Sequence, residues 1–174
     1  MRKRLGALLA ADVNLFAYHL PLDAHPEFGN NAMLGARLGC AVHGRFGDQG
    51  LGVLGHWLAP ERGDWSVGQL ADHVGQALGR APTYVDGGRR PLRTLAWCTG
   101  GAQSYFEAAI SAGADVYLTG EISEPQAHLA RETGVSFLAC GHHATERWGA
   151  PALAEHVARV HGIAHEFIDV DNPA

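Results

Sequence analysis

The chain has 174 residues, 47% of them apolar and 18% charged, with a formal net charge of −5. That balance describes a globular chain with enough material for a sizeable core. The acidic balance, without basic clusters, argues against a nucleic-acid binder, and no apolar run approaches membrane-spanning length.

The N-terminus, Met1-Arg2-Lys3-Arg4, is basic, and Leu5 to Ala11 is apolar. A secretory signal has that outline, but the run is short and Asp12 and Asn14 close it without a small-residue cleavage site. It reads as an amphipathic helix. Residues 13–18 are apolar and β-prone, which predicts a strand. Then comes His19-Leu20-Pro21-Leu22-Asp23-Ala24-His25-Pro26. Two prolines predict an irregular loop. The loop is either a ligand-rich strand end carrying His, Asp and His, or a turn in which Asp23 caps the backbone. Asn30 and Asn31 are expected to cap a helix over 32–38 that Gly39 stops. Residues 40–60 alternate apolar and polar around Gly47-Asp48-Gln49-Gly50, the pattern of a β-hairpin. It is read as an insertion, 41–60, within one domain spanning 1–174. Asp64 and Ser66 precede a helix over 67–78, with His73 on its face. A short strand follows at 83–85 and a turn at 86–88.

The second half alternates. A strand over 93–98 runs into Thr99-Gly100-Gly101-Ala102-Gln103-Ser104 and a helix to about residue 112. Such a turn can present N–H groups to an anion. It matches neither the Walker pattern nor GxGxxG, and a tight turn that needs glycine is the favoured reading. The strand at 116–118 ends in Thr119-Gly120-Glu121. Pro125 sits early in a helix to about 132, and a buried strand follows at 135–139. A helix over 150–160 and a last strand at 165–170 close the chain. The fold class is α/β: a mixed, substantially parallel sheet flanked by helices. Cys40, Cys98 and Cys140 form neither a zinc pattern nor a disulfide framework. Each lies in or at the end of an apolar run, as buried free thiols do, and a reducing cytoplasm is the default location.

The stretch Cys140-Gly141-His142-His143-Ala144-Thr145-Glu146 draws these elements together. It follows a buried strand and enters a helix, so its side chains stand at the C-terminal edge of the sheet, where α/β folds bind ligands. His142 and Glu146, four apart, share one helical face. An imidazole and a carboxylate there suit a divalent ion such as Zn, Fe or Mn. The plain alternative is a polar helix start, with Thr145 capping and Glu146 complementing the dipole.

Several segments together carry a family resemblance: His19 to Pro26, Gly29-Asn30-Asn31, Trp97-Cys98-Thr99-Gly100-Gly101, Thr119-Gly120-Glu121, Gly141 to Glu146, and Phe167-Ile168-Asp169. The sequence resembles, over essentially its whole length, the dinuclear-metal-centre proteins called GTP cyclohydrolase 1 type 2 homologues, the bacterial members most of all. The resemblance implies an α/β fold of two similar subdomains assembled into a toroidal homohexamer. It also implies paired metals held by two early histidines, one aspartate, and a late His and Glu. The aspartate matches Asp23 and the late pair matches His142 and Glu146. His19 and His143 are expected beside the metal as catalytic proton carriers. No residues before Asp23 match the two early histidines, so the chain resembles a truncated member with part of one subdomain missing. One divalent ion, held by Asp23, His142 and Glu146, is therefore the expectation. The implied function is a metal-dependent hydrolase of a nucleotide or another small molecule. The alternatives are a non-catalytic metal-binding ring module or an inactive fragment. No membrane or nucleic-acid partner is expected.

Overall fold

Along one strand Leu95 and Trp97 are fully buried in one apolar cluster, while Ala96 and Cys98 are buried in another. Successive strand residues point to opposite faces, so this alternation places a core on each side of a sheet. The computed structural model describes residues 1–88 and 90–174. Among these residues one six-stranded sheet runs in the order β1 (Cys40–Phe46), β2 (Gly52–Trp57), β4 (Thr94–Trp97), β5 (Val116–Thr119), β6 (Ser136–Ala139) and β3 (Thr83–Val85). The central trio β4, β5 and β6 is parallel. The β1–β2 hairpin and β3 add antiparallel strands at the two sides. The mixed α/β class expected from sequence is the class observed. The hairpin is an integral part of the sheet, because β2 pairs directly with β4.

One core contains Leu34 and Leu38 of α3 (Asn30–Leu38) and Leu70 and Val74 of α4 (Val67–Leu78), packed on Trp97, Val116 and Leu138. The other contains Phe106 and Ala109 of α5 (Phe106–Ser111) and Ala130 of α6 (Glu124–Thr133), packed on Tyr117 and Phe137. Helices α4 and α6 each start in a capping box, Ser66 with Gln69 and Ser123 with Gln126, which satisfies orphan N–H groups at the first turn.

Several expectations change. Residues 13–18 form no strand: they lie exposed between α1 (Arg2–Ala10) and α2 (Leu20–Ala24). β-propensity expresses fit to a pleated, half-buried surface, and Leu15 and Phe16 are 71% and 76% exposed with no such surface beside them. Residues 165–170 are not a strand either. Side chains hold that segment instead: Arg147 pairs with Asp169 and lies over the Phe167 ring at 5.6 Å. The His19–Pro26 stretch is more regular than its prolines suggest. Pro21 falls in the first turn of α2, where no N–H is needed. Asn30 and Asn31 do not cap α3. The N-cap is Gly29, and both asparagines sit inside the first turn with their side chains engaged elsewhere.

The three thiols are buried and free of disulfides among the described residues. Burial pushes Cys40, Cys98 and Cys140 each up to about 12. At pH 8 a colorimetric thiol reagent is therefore expected to leave the native chain unlabelled and to titrate three thiols after denaturation. Fast labelling of any native cysteine would show that this burial is not maintained in solution.

Candidate functional site

The parallel trio delivers three polar ends to one edge: Thr99-Gly100-Gly101 after β4, Gly120-Glu121 after β5, and Gly141-His142 after β6. Main-chain hydrogen bonds join these ends. Gly120 N donates to Gly100 O at 2.8 Å and Gly141 N donates to Gly120 O at 2.9 Å. The approach is close enough that a Cβ on Gly120 would stand 2.6 Å from Gly100 O and 2.7 Å from His142 Cα. Helix α7 (His142–Glu146) begins there. Thr145 does not cap it. Its hydroxyl donates back toward Gly141 O and accepts from Gly100 N at 3.0 Å, tying α7 to the turn after β4.

The early loop is fastened to the same edge by two asparagines. Asn30 Nδ2 donates to Asp23 Oδ1 at 2.7 Å, and Asn30 Oδ1 accepts from Gly149 N at 2.7 Å. Gly149 opens α8 (Gly149–His161). Asn31, fully buried, donates to Asp23 O and Leu51 O and accepts from Thr99 N. These bonds place Asp23, 7% exposed, in the wall of a cavity of about 330 Å³. His19, Asp23, Thr99, Tyr105, His142 and Glu146 are among its lining residues. Thus four of the five residues singled out from sequence meet in one pocket. His143 does not line it. Its N–H donates to Ala174 O, and its Nε2 is buried without a hydrogen-bond partner among the described residues.

His142 stands between two carboxylates. Nδ1 donates to Glu121 Oε1 at 2.6 Å, and Nε2 lies 3.0 Å from Glu146 Oε2. The Glu121 contact raises the affinity of His142 for its proton, and the same contact holds Glu121 below the usual carboxylate range. Glu146 is shifted the other way, chiefly by burial and then by the negative charge of Asp23, against the pull of His142. Both shifts favour the protonated forms of His142 and Glu146 relative to their ordinary values. Glu121 is the site residue that the sequence left without a role. Its signal was its position at the end of the neighbouring parallel strand.

The lining contains two carboxylates and two imidazoles and no Lys or Arg. Chemically it suits a cation. One imidazole nitrogen and two carboxylates, Asp23, His142 and Glu146, form a donor set that fits Zn, Fe or Mn. As the side chains stand, no three His, Cys, Asp or Glu groups among the described residues converge closely enough to hold a metal ion. Both His142 nitrogens face carboxylates instead. The glycine turn is poorly suited to an anion: Gly100 N and Ala102 N donate to Thr145 and Thr119 hydroxyls, and Glu121 lies beside Gly101. The tight-turn reading therefore stands. Gly100 has φ of +71°, and a Cβ there would meet Glu146 Oε1 at 2.0 Å. Gly100→Ala is expected to cost about 1–2 kcal/mol from its left-handed backbone alone and to push the Glu146 carboxylate aside. Thermal unfolding at wild-type temperature would contradict this.

The sequence profile of the Duf34/NIF3 (NGG1p interacting factor 3) family matches residues 1–173. The chain belongs to the Duf34/NIF3 family. Curated relatives agree. A GTP cyclohydrolase 1 type 2 homolog of Neisseria meningitidis serogroup B is 50% identical over 173 residues, which is 99% of this chain and 68% of the relative. Its namesake in Pseudomonas aeruginosa is 49% identical over 176 residues, with the same shares covered. Among solved structures, a structural-genomics protein of unknown function, ybgI, superposes with a TM-score of 0.92 at 45% identity, covering 99% of this chain and 68% of that one. TTHA1606 of Thermus thermophilus gives 0.80 at 29% identity, covering 99% and 67%. The family resemblance inferred from the strand-end motifs is thereby established for this Duf34/NIF3 chain. Among the described residues no helix is long and apolar enough to cross a membrane.

Proposed function

We propose that this Duf34/NIF3 chain binds one divalent cation, Zn, Fe or Mn, through Asp23, His142 and Glu146, and uses it to hydrolyse a small molecule. The carrying observation is the Asp23–Glu146 pair: two carboxylates share a wall that contains no Lys or Arg, beside an imidazole whose Nε2 already faces one of them. A cation relieves that like-charge crowding. When bound, it supplies Lewis acidity, drawing electron density from an attacking water and from the bond to be cleaved. The chain supplies the rest. Glu121 fixes the His142 ring through Nδ1, as outer partners of ligating histidines do. Asn30 orients Asp23. His19, on the lining, would move a proton at the substrate. Thr99, also on the lining, carries a buried hydroxyl without a partner among the described residues.

The name carried by the curated relatives points to a guanine nucleotide as substrate. In a pocket this acidic, phosphates would depend on the cation for attraction. Elemental analysis should give one ion per chain, and a nucleotide panel should show metal-dependent turnover. Two ions per chain, or none, would contradict the ligand set. A second reading, a non-catalytic metal-binding module assembling into homohexameric rings or an inactive fragment, is favoured by His143 lying off the pocket. Metal bound without turnover, with the oligomeric state measured in parallel, would select it. In both readings the assembly is a homo-oligomer in the cytoplasm.

A further inference from the structure

We propose that residues 163–174 form a strap that sets the position of α7, and that Arg80, Arg147 and Asp169, which fasten it, are positioning residues for His142 and Glu146. Helix α7 needs outside support. Its five residues are far fewer than the ~12–15 at which a helix begins to stand alone in water. Its N-cap, Gly141, has φ of +96° and offers no side chain to the orphan N–H groups of the first turn. The Thr145 hydroxyl supplies one tie, from Gly100 N. The strap supplies the others.

After α8 ends at His161, the chain doubles back to α7. Arg147, the C-cap residue of α7, pairs with Asp169 and lies over the Phe167 ring. Arg80, between α4 and β3, donates through Nη1 to Pro173 O. Its side chain crosses the turn from β6 into α7: a Cβ on Gly141 would stand 2.9 Å from Arg80 Cδ. His143 N, an orphan donor of α7, donates to Ala174 O at 3.1 Å. Asn172 Oδ1 accepts from Ala174 N at 3.0 Å, an Asx turn that shapes the end of the strap. The strap thus grips the first turn of α7 and the residue that follows its last.

The strap can let go while the fold stands. Residues 163–174 are all exposed, and neither core contains a residue beyond Trp148 among the described residues. Segments with few buried contacts open locally before the rest unfolds. Ala174 lines a hollow of about 320 Å³ together with Arg80, Glu121 and His142. His142 therefore stands between the acidic pocket, which contains Glu146, and a hollow walled by the strap, which contains Glu121. A fastened strap holds α7 against the sheet edge. A released one lets His142 and Glu146 shift relative to Asp23, which Asn30 holds separately.

The test is hydrogen–deuterium exchange at single amides of the full chain, followed by NMR. Asp169→Arg sets like charges at the Arg147 clasp, and Arg80→Ala removes the clasp on Pro173. The Thr145 amide, bonded to Gly141 O within α7, reports on the helix and not on the strap contact itself. In either variant the His143 and Thr145 amides should exchange at least about tenfold faster, while the amides of β4 to β6 and the thermal midpoint stay at wild-type values. The charge-swapped pair Arg147→Asp/Asp169→Arg should restore slow exchange. Divalent-ion affinity, measured by chelator competition, should fall about tenfold in Asp169→Arg and recover in the swapped pair. That effect on the ion rests on the ligand set proposed above. A wild-type chain that binds no ion would refute the ligand set and leave the exchange rates to decide on the strap. Wild-type exchange at Thr145 in both single variants, exchange in the swapped pair as fast as in Asp169→Arg, or accelerated exchange with unchanged ion affinity would each overturn the proposal.

Discussion

Asn31→Leu should lower the unfolding free energy by about 3–6 kcal/mol, a large part of what a domain of this size possesses. The asparagine is fully buried and its side chain makes three hydrogen bonds, to Asp23 O, Leu51 O and Thr99 N. Leucine keeps its branched shape but leaves these three main-chain groups buried and unpaired, at about 1–3 kcal/mol each. All three belong to residues that line the pocket, so the pocket loosens together with the fold. Urea denaturation followed by tryptophan emission is the measurement, because Trp97 Nε1 donates to Asn31 O at 2.9 Å and reports on the same spot. A midpoint close to wild type would mean that solvent satisfies these groups and that the early loop is less firmly fastened than it is drawn.

The second large effect is on metal affinity. Glu146→Gln is expected to weaken divalent-ion binding on the order of a hundredfold, the upper end of the effect usual for outer-shell partners. His143→Ala should change it far less. The amide preserves shape but removes the negative charge that offsets the cation, whereas His143 lies off the pocket lining. Chelator competition with both variants compares them directly. Equal losses, or a greater loss in His143→Ala, would mean that the wrong neighbouring histidine has been assigned.

The parts of the site legible from sequence were those separated by a regular period. His142 and Glu146 are one helical turn apart, and α7 turns them to the same pocket. The strands β4 to β6 were legible because each is a short apolar run bounded by glycine and polar residues, and all three are buried at the centre of the sheet. Glu121 was not, since its partner His142 is twenty-one residues away and no local pattern marks the contact. Asn31 was read as a helix cap because local propensity favours asparagine there, while its true partners lie at Leu51 and Thr99. Residues 13–18 and 165–170 failed in the opposite direction. Their composition is that of strands, but a strand needs a neighbour, and neighbours are not encoded in the segment itself.

The hydrogen bonds linking Gly100, Gly120 and Gly141 have a consequence for recognition. Loops at an active edge commonly retain freedom and surrender it when a ligand arrives. Here each loop's backbone is bonded to its neighbour's, so the freedom was lost at folding and a ligand encounters a cleft already set. Selectivity at such a cleft arises from shape and charge more than from adaptation. The amides of Gly120 and Gly141 should accordingly exchange with deuterium as slowly as those of the strands beneath them, with or without a bound ion.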